Sequence, residues 1–231
     1  MAAIAAAAVS GTHLQELIDR QPADHSLLQP FQQSPDLDRL DLERFVYRHW
    51  HCAGHVRQVP RTGDCFLFDI RPRDQWALKA VPGQKADCCT RLSMFGGAVT
   101  ASEDGKPVAP LMRRFKDGDG DFTIFYLDPL NHFLAYADDG AIFCYKPRAV
   151  DQTELHITGF VWGDATEGTD LDKARPTWMW RVTTAADKRI VGENAMGVAS
   201  RYHRPGPNAL PIESHARRLS ESCLSELGGK Q

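Results

Sequence analysis

The chain has 231 residues, 42% of them hydrophobic and 25% charged, with a formal net charge of -3 and a pI near 6.3. That length and apolar content suffice to bury a core, and the charge balance excludes the broad basic surface that binds nucleic acid. No stretch approaches the roughly 18 uninterrupted apolar residues of a membrane span, so the expectation is a soluble protein whose partner is a small ligand or another protein.

Taken in chain order, the opening MAAIAAAAVSG is apolar but lacks a basic n-region and is too short to cross a bilayer, so it reads as a frayed tail. Cys52, Cys65, Cys88, Cys89, Cys144 and Cys223 follow no export signal and show no framework spacing, which points to a reducing cytoplasm. HLQELIDR has a short helical pattern. QPADHSLLQPFQQSPD, broken by Pro22, Pro30 and Pro35, reads as an extended arm. Residues 1–35 are therefore expected to form a partly disordered N-terminal arm, and residues 36–231 one domain.

Ser34 followed by Pro35 is suited to cap and open a helix. Leu42, Phe45, Val46 and His49 follow at helical spacing, and that face is expected to pack on a sheet. From Gly54 the pattern changes to short strands, as in VRQVPRTGDCFLFDI, where Pro60 to Asp64 supply a turn. The polar segment from Arg71 to Thr90 suggests no element. Strand patterns return in SMFGGAVTA, DFTIFYLD, FLAYADD, AIFCYKPR and TELHITGFVW, separated by turn formers such as KDGDGD. Strands this close in sequence imply a curved antiparallel sheet. A helix is expected from about Ala185, and another from Pro211 to Leu227, ended by Gly228 and Gly229. The fold class is α+β, with no internal repeat.

Two groups of motifs carry a family resemblance. Near the C-terminal end stand W-x-V-T-x-x-A-D-K-R-I at Trp180 to Ile190, then Gly197, Val198, and Y-x-R-P-G-P at Tyr202 to Pro207. Toward the N-terminus, W-x-x-x-G-H and P-x-x-G-D elements fall at Trp50, Gly54, His55, Pro60, Gly63 and Asp64. In this order and spacing the chain resembles the α subunit of Rieske-type aromatic-ring-hydroxylating oxygenases, especially the branch acting on glycine betaine and other quaternary ammonium compounds. The resemblance implies a helix-grip-like catalytic domain, a curved antiparallel sheet with a long C-terminal helix, working within an oligomer.

The same resemblance defines what this chain lacks. The family's Rieske module holds a two-iron cluster through a C-x-H pair and a C-x-x-H pair. No C-x-H occurs here, and the C-x-x-H spacing of Cys52 and His55 lies upstream of where the module belongs. The N-x-x-H-x-x-x-x-H arrangement that supplies two histidines to the mononuclear iron is also missing. The third ligand, a carboxylate on the late helix, matches Asp187. Since Fe(II) in such sites takes two imidazoles beside one carboxylate, Asp187 alone should bind iron poorly, and no cofactor is expected in the isolated chain. Asp187 is equally explained as a carboxylate in the first turn of a helix.

Other residues carry paired readings. His49, His51, Cys52 and His55 crowd RHWHCAGH as a metal site would, or serve packing and hydrogen bonding. His132 and His156 lie in or beside strands without paired-ligand spacing. Phe122, Phe125, Tyr126, Phe133, Tyr136, Phe143, Tyr145, Trp162, Trp178 and Trp180 suit either a cage for a quaternary ammonium group or an aromatic core. Arg71 with Arg73 and Arg217 with Arg218 suit either an anion site or a solvated surface.

Three functions follow from these readings. The first is a non-catalytic subunit that assembles with a complete oxygenase α subunit or with itself. The second is a non-haem iron oxygenase subunit that takes electrons from a partner chain, and the third is an internally deleted remnant.

Overall fold

The computed structural model describes residues 10–49, 51–53, 59–62, 89–93, 102–111, 121–210 and 213–229. The expected strands in VRQVPRTGDCFLFDI and SMFGGAVTA lie almost wholly outside these residues, as do Arg71, Arg73, His55, Cys65 and Cys88. The fold is α+β. The chain divides into two compact units, one of Met1–Trp50, Pro147–Gln152 and Glu193–Gln231, the other of His51–Lys146 and Thr153–Gly192. Neither unit coincides with the boundary at residue 35 drawn from the sequence.

The first unit is helical. Helix α1 spans Gly11–Arg20, with the Ser10 hydroxyl accepting the His13 amide at its N-terminus. A short α2 covers Gln29–Gln33, and α3 covers Pro35–Arg44. Ser34 Oγ accepts the Leu37 amide at 3.4 Å and Pro35 occupies the first turn, where its missing N–H costs nothing. Leu14 and Leu17 of α1 are buried against Leu37 of α3, with Ile18, Phe31 and Leu40 around them.

Through Leu37 helix α3 rests on α1, and Leu42, Phe45 and Val46 are buried as well. The helix it meets besides α1 and α2 is α5, Ser214–Leu227. Cys223 Sγ donates to Asp41 Oδ1 at 3.0 Å, and an Arg44 guanidinium nitrogen donates to the Leu227 carbonyl. Helix α5 ends as the sequence anticipates, since Gly228 N–H reaches the Leu224 carbonyl and Gly229 takes a positive φ of 69°.

The second unit is built on a sheet in the order β1-β2-β3-β4-β5, with β1 Cys89–Ser93, β2 Asp121–Leu127, β3 Asn131–Ala135, β4 Asp139–Ala149 and β5 Gln152–Val161. The pairs from β1 to β4 are antiparallel, and sequence-adjacent strands are spatial neighbours throughout. From β2 onward the short connections allow nothing else, because a parallel return needs a crossover of a dozen residues or more.

Helix α4, Ala174–Val198, begins well ahead of the Ala185 start expected from sequence. Pro176 and several β-branched residues in ARPTWMWRVTT lower helix propensity and conceal that start. Yet the proline falls in the first turn, where it is tolerated, and the Asp172 carboxylate accepts the Ala174 amide at 2.9 Å. Trp180 then anchors the helix on the sheet. It joins Leu134, Tyr136, Ala141 and Phe143 in the buried cluster, with Ile157 of β5 alongside.

Candidate functional site

Asp187 lies on the exposed side of α4, past the Trp180 anchor. Its charge reaches Tyr145 of β4: burial foremost, then Asp187, then Tyr126 push the Tyr145 phenol above its ordinary value. His132 of β3 belongs to the same patch of sheet. Its ring stacks on Phe143 with centroids 4.3 Å apart, and lies 5.6 Å from the Tyr145 ring and 5.9 Å from that of Tyr126. Asp187, Tyr145, Tyr126 and His132 are thus grouped around β2 to β4 and α4.

As a metal site the grouping is short of donors. Among the described residues, no three His, Cys, Asp or Glu side chains come together so as to hold an ion. A ferrous site of the two-histidine, one-carboxylate type needs open positions beside three good ligands, and phenols are not its usual donors. The described residues do not fit that group.

The other sequence candidates resolve individually. His49 Nδ1 donates to the Phe45 carbonyl at 2.7 Å and Nε2 stands 3.4 Å from the Glu226 carboxylate, so both ring nitrogens are engaged within the helical unit. Cys52 offers its backbone carbonyl to the thiol of Cys144 at 3.2 Å, and a side-chain hydrogen bond with Cys52, then burial, pushes the Cys144 thiol up. His156 sits on β5 and pairs with Glu154. Arg217 pairs with Asp24 at 3.1 Å and lies 3.7 Å from Glu221, while Arg218 is exposed.

The aromatic residues divide by burial. Tyr136, Phe143 and Trp180 pack on one another, Phe143 edge-on to Trp180 at 5.1 Å and Tyr136 at 6.2 Å from it, while Phe122 lies 5.1 Å from Tyr136. Rings whose faces are covered by other rings are core. Phe125 and Trp178 are exposed.

Two features escaped sequence reasoning. Asp138, just ahead of β4, and Asp139, its first residue, are buried, and Val108 donates its amide to Asp138 Oδ2 at 2.6 Å while Oδ1 has no partner among the described residues. Burial and the adjacent Asp138 push the Asp139 carboxyl up to about 7, and burial with both carboxylates pushes Tyr136 up to about 12. Two acids between strands look like a solvated turn. Only the overlying Val108 and Ala109, both buried, show otherwise. The second feature is a pocket between β5 and the start of α4, whose residues are too scattered in sequence to signal it.

Comparison with known proteins places this geometry in a family. No family model matches the chain. Over 182 residues, 73% of its length, the chain is 33% identical to the glycine betaine monooxygenase oxygenase subunit of Pseudomonas aeruginosa, in each of two strains. Over 144 residues, 60% of its length, it is 36% identical to the protein of that description from Chromohalobacter salexigens. The chain belongs with the α subunits of the Rieske oxygenases. It spans 42% of the Pseudomonas protein and 31% of the Chromohalobacter protein, well under half of the curated relatives it matches.

Proposed function

We propose that this chain is an oxygenase α-subunit-like scaffold without turnover of its own, acting within a Rieske oxygenase assembly alongside a complete α subunit. One observation carries the proposal: helix α4 bears Asp187, which by motif matches the family's carboxylate ligand, and the described residues around it supply no pair of imidazoles. Assembly is supported by α4 itself, where Val182, Ile190, Val191 and Met196 are more than half exposed, apolar surface of a kind that a partner chain covers. The thiols of Cys52, Cys144 and Cys223, none of them in a disulfide, suit a reducing cytoplasmic setting.

One observation favours the second reading, an iron-binding oxygenase subunit fed by a partner's electrons: His132 shares the patch in which Tyr145 feels Asp187. Metal analysis separates the two. The chain purified alone after anaerobic reconstitution with Fe(II) should hold substoichiometric iron, and it should co-purify with a co-expressed complete α subunit. One Fe(II) per chain, lost on Asp187→Ala, would overturn the non-catalytic half of the proposal. A persistent monomer in the presence of the complete subunit would overturn the assembly half.

A further inference from the structure

A pocket of about 430 Å³ opens between β5 and the first turns of α4, within the size range of small-molecule sites. Its walls are apolar, from Ile157, Phe160 and Val161 of β5, Leu171 ahead of α4, and Pro176 and Trp180 of α4. The hydroxyls that line it are turned away from a ligand: Thr177 Oγ1 donates to the Lys173 and Ala174 carbonyls at 2.9 and 3.0 Å, and Thr184 Oγ1 donates to the Trp180 carbonyl.

What remains is positive charge. Lys173 and Arg181 line the pocket, and no aspartate or glutamate is among its described lining residues. Lys173 Nζ is paired with Glu167 at 3.1 Å. The Arg181 guanidinium has no hydrogen bond or ion pair among the described residues, and it stands where an apolar ligand's head would meet solvent. An apolar cleft with one unpaired guanidinium at its edge complements a molecule with an apolar body and one anionic head, since a guanidinium binds a carboxylate in bidentate fashion.

We infer that this pocket binds an amphiphilic carboxylate, its hydrocarbon body between β5 and α4 and its head on Arg181. The site is argued from its own lining, and does not depend on whether the chain assembles with a partner. A cation of equal apolar length would meet the Arg181 guanidinium, which no carboxylate among the described residues offsets.

Calorimetric titration with decanoate, decanol and decyltrimethylammonium, each below its micelle concentration, tests this. Decanoate should bind saturably at one site, about tenfold or more tighter than the cation, a difference of about 1.4 kcal/mol. Arg181→Gln should weaken decanoate about tenfold and leave decanol unchanged. A Cβ at Gly159, on the pocket wall, would meet only the Gly140 carbonyl at 4.0 Å, so Gly159→Leu should fill the space without disturbing the backbone. It should abolish binding of both decanoate and decanol while the thermal midpoint holds. Equal affinity for the three probes, indifference to Arg181→Gln, binding that survives Gly159→Leu, or no saturable binding would each overturn the inference.

Discussion

At the scale of single residues, the buried acids between β3 and β4 set a pH dependence. Asp139 has its carboxyl raised to about 7 by burial and by Asp138, against about 3.9 in an unfolded chain. Between those values the folded state holds a proton that the unfolded state has released, so stability is complete below about pH 4 and is lost as pH rises toward 7. The loss reaches on the order of 4 kcal/mol over the whole interval, and denaturant midpoints at pH 4 and pH 8 measure it. Asp139→Asn, which cannot ionise, should flatten the profile over that interval. The neighbouring Gly140 answers to a steric limit instead. A Cβ there would collide with the Phe160 ring and stand 2.9 Å from the Leu134 carbonyl oxygen, so Gly140→Ala should destabilise by about 1–3 kcal/mol in urea unfolding.

At the scale of elements, the helices differ in how they are held. Helix α3 depends on its cap, since Ser34 satisfies the Leu37 amide and Pro35 sets the first turn. Ser34→Ala should cost about 1 kcal/mol in chemical denaturation, whereas Ser34→Gly should cost only a few tenths. Helix α4 depends on one side chain. Trp180, 9% exposed, bridges Tyr136 and Phe143, and most of the helix around it faces solvent. Trp180→Ala should cost about 3–5 kcal/mol, and near-ultraviolet circular dichroism should report the lost ring packing. The strands need no comparable anchor, because sequential antiparallel pairing satisfies their backbone groups locally.

At the scale of the whole molecule, the chain combines a helical unit and a sheet unit, with β4, β5 and α4 each contributing residues to both. Family membership follows from motifs near the two ends and from extended identity to oxygenase subunits, while the chain spans well under half of those relatives. If the assembly proposal holds, Ile190→Glu on the exposed side of α4 should abolish co-purification with a complete α subunit. The thermal midpoint should move little, because that side chain is 55% exposed and has little packing to lose. Size-exclusion chromatography of the co-expressed pair checks the first outcome and calorimetry the second.

Strand positions from Asp121 onward, the Ser34–Pro35 helix start, the Gly228–Gly229 stop and the oxygenase resemblance were legible in the amino-acid order, because period-two patterning, capping and motif spacing are local properties. Other properties depended on atoms far apart in the chain: the burial of Asp138 and Asp139 beneath Val108, the contact of α3 with α5, and the pocket whose unpaired cation among the described residues is Arg181. Burial and charge pairing are set by what lies across a gap in space, and no local pattern in the chain records which partner will stand there.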